Sequence, residues 1–197
     1  MESNIGRTIL LRTTPFENLV NKLEWNAYSV WDGGVLNYDI YRYYNGVWTA
    51  SPIATVPANT LTYMDNVSAF IDGTGEFCYL VTAHEAPGNI YGYQMKSESN
   101  ESCAVQQPHI YLPNAFTPGG ANPIFHPYMI YVLEAGYQMQ VFNRWGQVVF
   151  ETGNTQEGWD GTFNGAPAQQ GVYAYSIKVK AANGTLIEKR GTVTLLR

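Results

Sequence analysis

The sequence is poor in charge and in the residues that do chemistry. Of 197 residues, 11 are Lys or Arg and 16 are Asp or Glu, a net charge of −5. A chain this acidic lacks the basic surface that binds nucleic acid, so no nucleic-acid partner is expected. The three histidines, His84, His109 and His126, are scattered and share no metal-ligand spacing. No apolar run reaches the roughly 18 residues of a membrane span, so no transmembrane segment is expected. No long stretch has the apolar spacing of a helix. G-x-S-x-G, H-E-x-x-H, P-loop and G-x-G-x-x-G patterns are all missing. Gly119-Gly120 is no phosphate cradle, because no Lys followed by Ser or Thr comes after it. Neighbouring carboxylates such as Asp32/Asp39 and Glu98/Glu101 lie in turns and polar stretches and read as solvated surface. The expectation is no enzyme, no cofactor and no metal site.

What the chain does have is 15 Tyr, 19 Gly and 10 Pro. That mixture suits short strands joined by tight turns. Charge divides the chain. Residues 1–105 hold 5 Lys/Arg against 11 Asp/Glu, a net of −6, and residues 106–197 hold 6 against 5, a net of +1. Ala104-Val105-Gln106-Gln107-Pro108 reads as a linker. The fold class expected is all-β, as two consecutive β-sandwich domains, residues 1–105 and 106–197, each near the common domain size.

In the first domain, Lys22–Trp25 and Tyr38–Tyr41 read as strands, and Asp32-Gly33-Gly34 as a turn. Tyr44-Asn45-Gly46-Val47 reads as a hairpin turn. Phe77, Tyr79, Val81 and Ala83 share one face of a later strand. With Trp25, these strands resemble a fibronectin type III module over roughly residues 5–104, an Ig-like sandwich. Phe77 stands where that family usually places a tyrosine, so the corner hydrogen bond of the family is expected to be absent.

The second domain runs through PNAFTPGG (Pro113–Gly120), FNRWGQVVF (Phe142–Phe150), GWDGTFNG (Gly158–Gly165), GVYAYSIKV (Gly171–Val179) and KRGTVTLLR (Lys189–Arg197). In this order the blocks resemble the type B C-terminal sorting domain of the Bacteroidota type IX secretion system, also called the gliding-motility-associated C-terminal domain. The resemblance implies an exported protein, in the periplasm in transit and then at the cell surface or in the medium. It implies as partners the type IX translocon and its outer-membrane β-barrel shuttle protein. Carried over residue by residue, the sorting motif comprises Pro113, Asn114, Phe116, Pro118, Asn143, Arg144, Trp145, Gly146, Trp159, Asp160, Gly161, Lys189, Gly191 and Arg197. The family's acidic pattern after PNAFTP is replaced by Gly119–Phe125, which puts any calcium site in doubt. Met1-Glu2-Ser3-Asn4 lacks the regions of a signal peptide, so the expectation is a fragment of a longer precursor. In an exported protein, the single pair Cys78 and Cys103 is expected as a disulfide.

Register decides the last hairpin. A two-residue turn at Asn183-Gly184 would put Ile187, Val193 and Leu195 on the lysine face of the partner strand. A three-residue loop, Ala182-Asn183-Gly184, sets Val179 opposite Ile187, Tyr173 opposite Val193 and Lys178 opposite Glu188. The second register is predicted. It strands Lys189 on the apolar side, either snorkelling at the rim or facing a partner. The NRWG turn takes the same form, with Gly146 left-handed. Its strands put Val141 and Val149 on one face and Phe142, Val148 and Phe150 on the other. That second apolar face needs a cover, from within the chain or from a partner. Asp160-Gly161 and Asn164-Gly165 read as turns. The rival expectation is an adhesin fragment whose first domain binds glycan or protein, with Trp31 and Trp48 beside turns as stacking surfaces and Trp25 in the core.

Overall fold

A computed structural model describes residues 8–71, 73–181 and 184–197. Among them there is no helix, and the class is all-β and sandwich-like. By contact density the chain divides into two compact units, residues 1–71 with 76–106, and residues 72–75 with 107–197.

The first unit holds β1 (Leu11–Phe16), β2 (Val20–Trp25), β3 (Val35–Tyr44), β4 (Val47–Trp48), β5 (Ala54–Pro57), β6 (Thr62–Asn66), β7 (Glu76–Glu85), β8 (Lys96–Glu98) and β9 (Ser102–Val105). One sheet runs β1-β2-β6; the other runs β4-β3-β7-β8, with β5 on β3 and β9 on β7. Alternation explains the layers. Tyr38 and Ile40 on β3, and Phe77, Tyr79, Val81 and Ala83 on β7, are fully buried, as is Leu23 on the opposing sheet. Trp25 packs edge-on to Tyr38 at 5.7 Å. The Tyr44–Val47 hairpin closes on Asn45 and Gly46, both at positive φ, the geometry of a two-residue turn that matches strand twist. The Phe77 ring stacks on Tyr44, 4.7 Å between centroids, and the Tyr44 hydroxyl donates to the Phe70 carbonyl at 3.1 Å. Cys78 and Cys103 pair directly across β7 and β9 and form a disulfide.

The second unit holds β10 (His109–Tyr111), β11 (Ala115–Phe116), β12 (Tyr128–Ile130), β13 (Val132–Phe142), β14 (Val148–Thr152), β15 (Thr162–Phe163), β16 (Ala166–Pro167), β17 (Gly171–Ala181) and β18 (Leu186–Leu195). Its main sheet runs β11-β18-β17-β13-β14, with β10-β12 and β15-β16 as two small sheets. Tyr173, Tyr175, Ile177 and Val179 face the core from β17, joined by Val193 and Leu195 from β18. The β17–β18 register is the one the apolar pattern requires: Val179 opposite Ile187, Tyr173 opposite Val193, Lys178 opposite Glu188. Gly184 is left-handed, and its amide donates to the Ala181 carbonyl. Ala182 and Asn183, the other residues of that predicted loop, lie outside the described residues.

The β13–β14 pair corrects one expectation. A β-bulge leaves Val149 without a cross-strand partner and sets Phe150 opposite Val141, not on the face of Phe142. Both Val149 and Phe150 then pack on the core. An extra residue in one strand reverses the alternation beyond it. The second apolar face is thereby reduced to half-buried Phe142 and exposed Val148.

Candidate functional site

The motif blocks converge, and most of what converges is core. Trp159 is fully buried between Phe116 (5.3 Å) and Tyr173 (4.6 Å), and its indole N–H donates to the Thr162 carbonyl at 2.8 Å. Its backbone exchanges two hydrogen bonds with Phe125. Phe116 lies parallel to β18, opposite Leu195, where the Asn114 and Phe116 carbonyls accept from Thr194 and Leu196. Gly161, at φ +80°, sits so close that an added Cβ would lie 2.8 Å from Pro118 and 3.1 Å from Leu195. Arg197 donates to the Gly161 carbonyl at 3.3 Å. Asp160 folds back on the chain, accepting from the amide and hydroxyl of Thr162. Residues from PNAFTP, WDG and the final strand therefore form one interlocked cluster, with Pro113 half-buried at its entry.

Gly191 has a packing role of its own. It lies opposite Tyr175, and any Cβ there would overlap the tyrosine hydroxyl. The ring fills the space above the glycine, and burial raises the pKa of that hydroxyl. Lys189 is exposed, but its ammonium donates to the Ile110 carbonyl at 2.7 Å and so ties β18 to β10. The Gly119–Phe125 loop closes on itself: Thr117 and Asn122 bond through the backbone, and the Asn122 amide reaches the Ala115 carbonyl. Among the described residues, one cluster has metal-ligand spacing, Glu76 with Cys78 and Cys103, and both its sulfurs are held in the disulfide.

The NRWG turn differs from the other blocks. Asn143 builds it by accepting from the amides of Trp145 and Gln147, and Gly146 takes φ +79°. That geometry pushes the next two side chains outward. Trp145 is 76% exposed. The Arg144 guanidinium lies 5.4 Å from its ring, a cation–π contact. Among the described residues Arg144 has no carboxylate partner. The pair lines a groove of about 360 Å³ together with Phe163, Pro167, Gln170 and Val172. Tyr173 stiffens the far side by donating to the Gln169 carbonyl at 2.6 Å. The sequence pointed to Arg144 and Trp145 but not to Pro167, Gln170 or Val172. The signal for those was the Asn164-Gly165 turn, which folds β15 onto β16 and carries Pro167 to the groove.

Solved structures to which the chain shows similarity include the tetra-tandem repeat in the extending region of a large adhesion protein (12% identity, TM-score 0.37, 96% of this chain and 50% of that one). Another is the FN1–FN3 segment of chicken CNTN1 (12%, 0.37, 98% and 66%). A third is dimeric latent PorU from Porphyromonas gingivalis (13%, 0.31, 97% and 20%). The chain thus spans half the length of the first and a fifth of the third. No curated protein matches it. Residues 110–195, from the middle of β10 to the last residue of β18, match the CHU_C type IX secretion signal domain.

Proposed function

We propose that residues 106–197 are an address: a sorting signal that directs an exported protein through the type IX outer-membrane translocon to the cell surface or medium. Residues 1–105 serve as a β-sandwich spacer before it. The observation that carries this reading is the family match over residues 110–195. The geometry supports a division of labour within the motif. Phe116, Pro118, Trp159, Gly161 and Gly191 build the fold. Arg144 and Trp145 form its exposed tip. Arg and Trp are the residue types that dominate binding energy at protein interfaces, and here they are presented without stabilising the core. Recognition by the translocon or its β-barrel shuttle is non-covalent, and the chain performs no chemistry.

The test is a fusion of residues 106–197 to a periplasmic fluorescent protein in a type IX-competent host. Fluorescence outside the cell or on its surface, abolished in a translocon mutant, is expected. Retention in the periplasm, repeated with all 197 residues fused, would overturn the proposal.

A further inference from the structure

The first unit carries a cleft that a spacer does not need. Its walls are the turn at Trp31–Gly34 and the loop between β7 and β8. The two lie in contact because Gly33 has no side chain: a Cβ there would lie 2.6 Å from the Ala86 carbonyl oxygen. The Ala86 amide in turn donates to the Gly34 carbonyl at 3.0 Å. Within the loop, Asn89 accepts from the Tyr91 amide and donates to the Tyr93 carbonyl. This fold keeps Ile90, Tyr91 and Tyr93 83%, 71% and 70% exposed. Such a concentration of large apolar side chains on a short surface loop marks an interaction site.

The cleft holds about 240 Å³ and is lined by Trp31, Asp32, Glu85, Asn89, Tyr91 and Tyr93. Trp31 is braced by Tyr28, 4.4 Å away. Glu85 is 4% exposed. Its Oε2 accepts from the Met95 amide at 3.2 Å. A neighbouring hollow of about 180 Å³ shares Glu85 and Met95; Asn37 also lines it, and the buried Oδ1 of that residue has no hydrogen-bond partner among the described residues. A buried polar atom of this kind calls for a partner.

We propose that this cleft binds a neutral glycan, with sugar rings lying on Trp31, Tyr91 and Tyr93 and hydroxyls bonding to Glu85 and Asn89. Flat aromatic faces beside a few fixed polar groups suit a ligand with apolar ring faces and a rim of hydroxyls. The 240 Å³ cleft is lined by two carboxyl groups and no Lys or Arg, the neighbouring hollow by Asp39 and Glu85 against Lys96, and the first 105 residues carry a net charge of −6. That balance disfavours sialylated or uronic-acid glycans. The shared Glu85 places two hollows side by side, so a chain of sugars fits better than a single one.

The test is affinity electrophoresis of the full 197-residue chain through gels containing β-1,3-glucan, xyloglucan, galactomannan or an α-glucan, with polygalacturonate as the anionic probe. Retardation by a neutral polymer is expected. It should weaken about tenfold or more in the Tyr91→Ala/Tyr93→Ala double variant, whose side chains are exposed and leave the fold intact. Glu85→Gln should also weaken it, and Trp48→Ala, outside the cleft, should not. No retardation by any neutral polymer, retardation unchanged in the double variant, or retardation by polygalacturonate alone would overturn the assignment.

Discussion

Nη1 of Arg42 reaches both carboxylate oxygens of Asp65, at 3.0 and 2.9 Å, inside the first unit. The two residues come from opposite sheets, β3 and β6, and their side chains are 10% and 7% exposed. The Tyr79 hydroxyl donates to the same carboxylate and accepts from Asn21, whose side chain is held by Gln106. A buried ion pair adds little against an apolar substitute, but removing one partner leaves the other uncompensated. Asp65→Ala should therefore lower unfolding free energy by about 3–5 kcal/mol in denaturant titration. A loss under about 1 kcal/mol would mean that water reaches the pair.

Tyr79 gives the same network a pH signature. Burial, reinforced by the Asp65 charge, raises its pKa above the ordinary value near 10. Because the folded state holds this proton more tightly, its contribution is complete below pH 10 and is lost as pH rises above it. Stability of the first unit should fall with a slope of up to about 1.4 kcal/mol per pH unit. Tyr79→Phe should flatten most of that slope. Tyr63 titrates in the same direction for the same first cause, so a smaller slope remains. Thermal melts from pH 8 to 11 read the difference between the two proteins.

The disulfide closes a loop with a sequence separation of 25 residues. Cys78→Ala/Cys103→Ala should cost roughly 3 kcal/mol in the chain-entropy account. Reductant should shift the midpoint of the unmodified protein by a similar amount and leave the double variant unmoved. Equal midpoints with and without reductant would show that the cross-link adds nothing to the sheet pairing.

Gly191→Ala tests packing without backbone strain, since an added methyl meets the Tyr175 ring. A loss of about 1–3 kcal/mol is expected. Gly161→Ala should cost at least as much, because its positive φ adds to the contacts with Pro118 and Leu195. Trp159→Ala empties the centre of the cluster and should cost about 3–5 kcal/mol. All three changes should reduce secretion only in proportion to the unfolding they cause.

Much of this was legible because it is local. The β17–β18 register follows from which apolar residues must share a face, and Asn-Gly pairs announce their turns. The bulge at Val149 was not legible, since nothing in Gln147–Phe150 distinguishes a regular pair from one with an extra residue. Arg42 and Asp65 look like ordinary surface charges until two sheets bring them together. In the motif blocks, order revealed the family, but only packing separates Trp159, which is core, from Trp145, which is surface. Tyr91 and Tyr93 gave no periodic signal because they lie in a loop.

That separation gives the sharpest prediction. Arg144→Ala and Trp145→Ala remove exposed side chains that stack on each other outside the core. Melting should stay within about 0.5 kcal/mol of the parent, as for surface changes generally. Export of a fusion should nonetheless fall, each change removing about 2 kcal/mol of affinity if the pair is a hot spot. Arg144→Lys should recover little, because an ammonium cannot present the planar guanidinium that stacks on a ring. Normal export of Arg144→Ala/Trp145→Ala with unchanged melting would move recognition off the NRWG tip. The next residues to test would then be Lys189 on β18 and Arg197 just beyond it, whose hydrogen bonds to Ile110 and Gly161 tie structure and exposure together.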